Sequence, residues 1–260
     1  MIAVTRPVSA SINRCELTHL RREPIDVERA RAQHAAYERA LEAAGCTVLR
    51  LDEADDLPDA VFVEDTAVVC DEVAIVLRPG AESRRPETPP VADLLRQYRP
   101  VFEVREPATI DGGDVLVAGR TVFVGQTRRT NAEAIRQLRG VLEPLGYAVR
   151  AVVVTGCLHL KSAVTAISDD RVLMNPAWVA GDAFASFDVV SVDTQEPAAA
   201  NIVRVRGQLI YSNAFPRTRQ QLERLGLAVC PVDVSELAKA EAAVTCCSLL
   251  FPIQPNLTKR

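Results

Sequence analysis

Asp114-Val115-Leu116-Val117-Ala118-Gly119-Arg120-Thr121-Val122-Phe123-Val124-Gly125 reads as two short apolar strands around a polar Ala-Gly-Arg turn, opened by an acid. The same pattern recurs on either side. Glu64-Asp65-Thr66-Ala67-Val68-Val69 runs through Cys70-Asp71-Glu72 into Val73–Leu77. Ser162–Ile167 turns at Ser168-Asp169-Asp170 into Arg171–Asn175, and Asn201–Val205 turns at Arg206-Gly207 into Gln208–Asn213. With Val244-Thr245-Cys246-Cys247-Ser248-Leu249-Leu250 read as a β-type stretch, the starts Asp65, Asp114, Ser162, Asn201 and Cys246 are spaced by 49, 48, 39 and 45 residues. A repeat of that length points to a propeller or a similar array.

Between the hairpins lie helix-like stretches, each followed by a short apolar strand. Val27–Ala44 ends at Gly45, Asn131–Leu145 has Asn131 as a candidate N-cap with Gly146 beyond it, and Pro216–Leu225 closes at Gly226. The strands after them are Thr47–Leu49, Ala148–Val154 and Leu227–Val229. The unit is therefore strand, strand, helix, strand, used about five times. N-terminal Ile2-Ala3-Val4 would complete the last copy and close the ring, which removes exposed sheet edges.

At 260 residues and 48% hydrophobic content, the chain is long enough for one sizeable core. No Pro/Gly/Ser-rich linker marks a boundary, so residues 1–260 read as a single domain, with proline-rich Glu82–Pro90 as a loop. A net charge of −4 with interspersed signs gives no footprint for nucleic acid or membrane. No apolar run has transmembrane length, and the N-terminus lacks the features of a signal peptide. Seven cysteines, an odd number without metal-site spacing, read as reduced thiols of a cytoplasmic enzyme.

Cys246, His159 and Asp111 offer a nucleophile, a base and an orienting carboxylate, each at a similar place in the repeat. Cys246 and His159 also have plainer readings: a buried hydrophobe and a hydrogen-bonded imidazole at a strand start. Adjacent strand residues face opposite ways, so Cys246 can face the ring centre while Cys247 packs outward. His19 and His34 default to solvent; Cys15, Cys46, Cys70, Cys157 and Cys230 default to packing or surface positions. Gly112-Gly113 implies close backbone approach, to a strand or to a ligand. Asp59, Glu64 and Asp65 form an acidic group suited to an organic cation, while Arg84-Arg85 and Arg128-Arg129 are candidate carboxylate clamps. A cation site beside an anion site fits a zwitterionic amino acid.

Leu57–Asp65, Arg78-Pro79-Gly80 to Arg85, Ile110–Leu116, Val124–Asn131, Leu158–Ser162 and Leu237–Ser248 resemble, in order, the motifs of dimethylarginine dimethylaminohydrolases. The resemblance spans nearly the whole chain. It implies the α/β five-bladed propeller of guanidine-modifying enzymes, the pentein fold, with its site on the axis. It also implies that Cys246 is the nucleophile, His159 the general acid and base, and Asp111 its orienting carboxylate. Asp65, with Glu64, would hold the guanidinium, and Arg84 and Arg129 the substrate carboxylate. Asp59 and the carbonyls of Leu17 and Ala240 would take the α-amino group, Phe62 would line the channel, and Asn13–Arg22 would form a lid.

The implied reaction hydrolyses asymmetric dimethylarginine or monomethylarginine to L-citrulline and the amine, through a covalent S-alkylthiouronium. It needs neither metal nor cofactor, and its partner is the small-molecule substrate. A homodimer is compatible with the sequence. Arginine deiminases and amidinotransferases resemble the chain less, because they carry an Asp two positions after the histidine, where Lys161 stands. A hydrolase of another N-substituted guanidine is a further reading. A non-enzymatic binder of arginine derivatives is opposed by the joint presence of nucleophile, base and orienting acid.

Overall fold

A computed structural model describes residues 1–253; residues 254–260, the end of the domain expected from the sequence, lie outside the described residues. The strands are β1 (Ile2–Thr5), β2 (Thr47–Arg50), β3 (Ala67–Val69), β4 (Ala74–Val76), β5 (Val101–Glu103), β6 (Val115–Ala118), β7 (Thr121–Gln126) and β8 (Ala148–Val153). They continue as β9 (Val164–Ala166), β10 (Arg171–Met174), β11 (Asp188–Ser191), β12 (Ile202–Val205), β13 (Gln208–Ser212), β14 (Ala228–Val232) and β15 (Leu249–Phe251).

The strands form five three-stranded sheets, ordered β3-β4-β5, β6-β7-β8, β9-β10-β11, β12-β13-β14 and β15-β1-β2. In each, the first two strands pair antiparallel and the third joins parallel to the middle one. The fifth sheet joins the two ends of the chain, with Ile2 opposite Phe251 and Val4 opposite Leu249. Inner strands β3, β6, β9, β12 and β15 all line one axial cavity of about 310 Å³. The architecture is thus the five-bladed α/β propeller.

Middle strands are apolar on both faces because each blade is covered by a neighbour on either side. Alternate residues therefore enter different cores: Val122 and Val124 pack with the first blade, while Phe123 packs with the third. Likewise Ile2 and Val4 face the first blade and Ala3 the fourth.

Helices fill the gaps between blades: α1 (Val27–Ala43), α2 (Thr88–Leu95), α3 (Ala132–Leu142), the single turn α4 (Leu160–Ala163), α5 (Pro216–Arg224) and the short α6 (Ser235–Ala238). Asn131 caps α3 by accepting the Ala134 N–H at 3.0 Å. Gly45 and Gly146, which follow helical segments, have φ of 90° and 84°, the left-handed conformation that ends a helix.

Four expectations need correction. Glu82–Pro90 is not a loop: a 3-10 turn over Glu82–Glu87 runs into α2, whose first turn holds Pro89 and Pro90. Proline is tolerated there because first-turn N–H groups have no partner within the helix. Cys246 lies not in a strand but in a 3-10 turn, Thr245–Cys247, ahead of β15. His159 precedes a helical turn rather than a strand. The third unit has only the 3-10 turn Gly181–Phe184 where the repeat calls for a helix, with Phe184 filling that core against Phe123.

Candidate active site

Short helical turns lead into four of the five inner strands: Val63–Thr66, Gly112–Asp114, Leu160–Ala163 and Thr245–Cys247. Because they converge on the axis, neighbouring residues in one turn reach opposite sides of it. Asp65, His159 and Cys246 line a small cavity of about 30 Å³. Glu64, Lys161 and Thr245 line the larger axial cavity instead.

His159 is buried, and its Nε2 lies 3.1 Å from Asp111 Oδ2. The other oxygen of Asp111 accepts the Gly80 N–H at 2.8 Å, which fixes the carboxylate. Burial disfavours a charged imidazole. Asp65 nearby, the hydrogen bond donated to Asp111, and Asp114 outweigh it and raise the His159 pKa to about 9. The cation is therefore the resting form at neutral pH.

The glycine pair makes this arrangement possible. A Cβ on Gly113 would lie 2.5 Å from His159 Nδ1, and one on Gly112 would lie 1.9 Å from the Glu64 carbonyl oxygen. The close approach is thus to an imidazole and to the Val63–Thr66 turn, neither a strand nor a ligand.

Asp65 accepts the Gly113 N–H at 2.8 Å and Arg84 Nη1 at 2.5 Å. Burial would raise its pKa, but Arg84 and His159 hold it down at about 2. Asp65, Asp111 and His159 offer ligand atoms within 4.8 Å of one another, yet N–H groups already occupy these oxygens. Arg84 is buried rather than solvated: Nε and Nη2 reach Glu87, and Nη2 also reaches the Phe62 carbonyl at 3.0 Å. Glu87 is pushed up to about 7 by burial, with Arg84 opposing.

Glu64 is turned away from the small cavity. It accepts from Lys161 Nζ at 2.6 Å and from Thr245 Oγ1 at 2.7 Å, and all three line the axial cavity. Burial raises its pKa despite Lys161.

Cys246 is half-buried, with its sulfur accepting the Ala243 N–H at 3.4 Å. Burial, then the charges of Glu64 and Asp65, push its pKa well above the ordinary value. The thiol is neutral until a positive charge arrives. Cys247 faces the core beside α1, fully buried.

Asp59, Phe62, Arg84, Arg129 and Ala240 also line the small cavity. Leu17 is half-buried in the loop above it. Arg129 Nη2 donates to Thr18 Oγ1 at 3.0 Å, and Asp59 Oδ2 accepts the Glu16 N–H at 3.0 Å.

The family model described as N,N dimethylarginine dimethylhydrolase, eukaryotic, matches residues 4–179. The N(G),N(G)-dimethylarginine dimethylaminohydrolase of Streptomyces coelicolor is 42% identical over 250 residues, covering 95% of each chain. The chain belongs to the dimethylarginine dimethylaminohydrolase family. The Pseudomonas aeruginosa protein of that name is 35% identical over 228 residues, 87% of this chain and 90% of that one. A solved Pseudomonas aeruginosa structure, a Cys-to-Ser variant complexed with citrulline, matches with a TM-score of 0.92 at 33% identity. It covers 96% of this chain and 98% of that one.

Sequence reasoning gave no role to four cavity residues: Glu16, Leu158, Glu241 and Ala242. It also missed the anchoring role of Asp114, which accepts from Thr127 and Thr130 at 2.6 Å and from the Leu160 N–H at 3.0 Å. Asp114 thereby holds the turn that follows His159. Its signal was present in the two threonines of Thr127–Thr130. His34, expected in solvent, is buried 3.8 Å from Glu38 and takes no part in the small cavity.

Proposed function

We propose that this chain hydrolyses N-ω-methylated arginines, asymmetric dimethylarginine and monomethylarginine, to L-citrulline and dimethylamine or methylamine. The observation that carries this reading is the convergence of Cys246, His159 and Asp65 on one small cavity, with Asp111 behind the imidazole.

The substrate guanidinium binds beside Asp65, whose oxygens retain lone pairs after the Gly113 and Arg84 bonds. Its positive charge favours the Cys246 thiolate, whose proton passes to solvent, in a site where acids otherwise oppose ionisation. Sulfur attacks the guanidinium carbon, forming a C–S bond. His159, charged at rest, gives its proton to the leaving amine as the C–N bond breaks, which leaves the S-alkylthiouronium. Neutral His159 next takes a proton from water and the oxygen adds to the same carbon; the C–S bond then breaks to return the thiolate and citrulline, the adduct's hydroxyl proton passing to the released amine or to solvent. Asp111 keeps the imidazole oriented throughout.

Arg129 and the second N–H of Arg84 Nη1 take the substrate carboxylate; Asp59 and the carbonyls of Leu17 and Ala240 take the α-amino group. Phe62 lines the channel. Glu64, bound by Lys161 and lining the axial cavity, stands apart from the substrate in this reading. Residues 1–260 act as one catalytic domain, working in the cytoplasm with the small-molecule substrate as partner. All seven cysteines are free, in keeping with a reducing compartment.

A citrulline assay on dimethylarginine, monomethylarginine and arginine tests the proposal. A higher kcat/KM for a methylated substrate is expected. Faster turnover of arginine would return the chain to deiminase chemistry, and no turnover of the three would favour binding alone.

A further inference from the structure

We infer that Glu241 is a positioning residue, fixing both backbone carbonyls that receive the substrate α-amino group. Glu241 lines the small cavity and holds a left-handed backbone, φ 59°, that non-glycine residues seldom adopt. Its carboxylate reaches across to the lid. Oε1 accepts the N–H groups of Thr18 at 3.0 Å and of His19 and Leu20 at 2.5 Å each. Three successive lid amides thus share one carboxylate.

The Thr18 N–H and the Leu17 carbonyl belong to one planar trans peptide, so they point in opposite directions. Holding the N–H on Glu241 therefore sets the direction of the Leu17 carbonyl. The same rule applies on the other side. The N–H of Glu241 donates to the Ala238 carbonyl at 3.1 Å, which sets the direction of the Ala240 carbonyl in the preceding peptide. One residue orients both acceptors, through its side chain and through its backbone.

The ties that Asp59 and Arg129 make to the lid come from residues themselves assigned to the substrate. An arriving zwitterion competes for both. Glu241 has no such second duty, so its tie persists as substrate enters, as does that of Ser83 Oγ to the Glu16 side chain, which holds no peptide of the lid.

The inference rests on the proposed reaction for its substrate, and its test separates the two. Glu241→Asn is the informative variant: Asn tolerates the left-handed backbone, but its shorter side chain falls short of the lid. Hydrogen exchange at the amides of Thr18, His19 and Leu20 should accelerate about tenfold or more in the variant. KM for dimethylarginine should rise about tenfold with kcat little changed, as for loss of uniform binding. With a substrate analogue lacking the α-amino group, the KM values of parent and variant should converge. Glu241→Gln keeps an acceptor oxygen and should recover part of the loss. Unchanged exchange at the three amides, or an equal KM rise for both substrates, would overturn the inference. Failure of the parent to turn over any methylarginine would remove the reaction, while exchange would still decide whether Glu241 holds the lid.

Discussion

Gly113 and His159 are in contact so close that a Cβ on Gly113 would stand 2.5 Å from Nδ1 of the imidazole. The flat face of a residue without a side chain sets where the ring lies, and Asp111 sets its rotation. Gly113→Ala should leave a folded protein with the imidazole displaced. A displacement on the scale of an ångström costs about 10²-fold in rate. Parent-like kcat alongside an unchanged melting temperature would show that the ring has room to spare.

Gly112→Ala should behave differently, because its Cβ would meet the Glu64 carbonyl oxygen at 1.9 Å, an atom of backbone. Backbone moves less readily than a side chain, so the cost should appear in stability, of about 3 kcal/mol or more. Urea denaturation of the two alanine variants side by side tests the contrast.

Cys246→Ser should abolish turnover, and mass spectrometry during the reaction should place the covalent adduct on Cys246. Cys247→Ser puts a hydroxyl into a fully buried site and should lower stability by about 1–3 kcal/mol while keeping substantial activity. An adduct confined to Cys247 would reverse the assignment.

The His159 imidazole, raised from 6.5 to about 9 in the folded chain, binds its proton more tightly there than in the unfolded chain. That contribution to stability is fully present below about pH 6.5 and is lost as pH rises through about 9. Asp65, held at about 2, works in the opposite sense: its contribution is present above about pH 3.8 and lost as pH falls through about 2. Asp65 raises the imidazole pKa by its charge, and Asp111 by both its hydrogen bond and its charge, so Asp65→Asn and Asp111→Asn should each lower it. NMR titration of the ring reads this directly, and a ring pKa unchanged in either variant would refute it.

Lys161→Met would leave Glu64 buried without its counter-charge, an arrangement that costs about 3 kcal/mol. Adding Glu64→Gln should restore most of that loss. If the double variant were no more stable than the single one, the ion pair would not be the cause.

The repeat was legible in the sequence because it rests on local physics. Short apolar runs around polar turns marked the hairpins, and Asn131, Gly45 and Gly146 marked the helix ends within a few residues of where they occur. Closure through Ile2–Val4 followed from counting units, and the order of motifs singled out Cys246, His159 and Asp111. Only the tertiary structure decided which charges are buried and whom they meet. Glu64 pairs with Lys161, 97 residues away, and with Thr245, 181 residues away. Glu241 meets the lid across 223 residues. Local propensity sees neighbours within a turn, whereas these partners are set by closure of the ring, which brings distant turns onto one axis. That is why Glu64 and Asp65, adjacent in the chain, end on different cavities, one bound to lysine on the axial cavity and the other facing the small one.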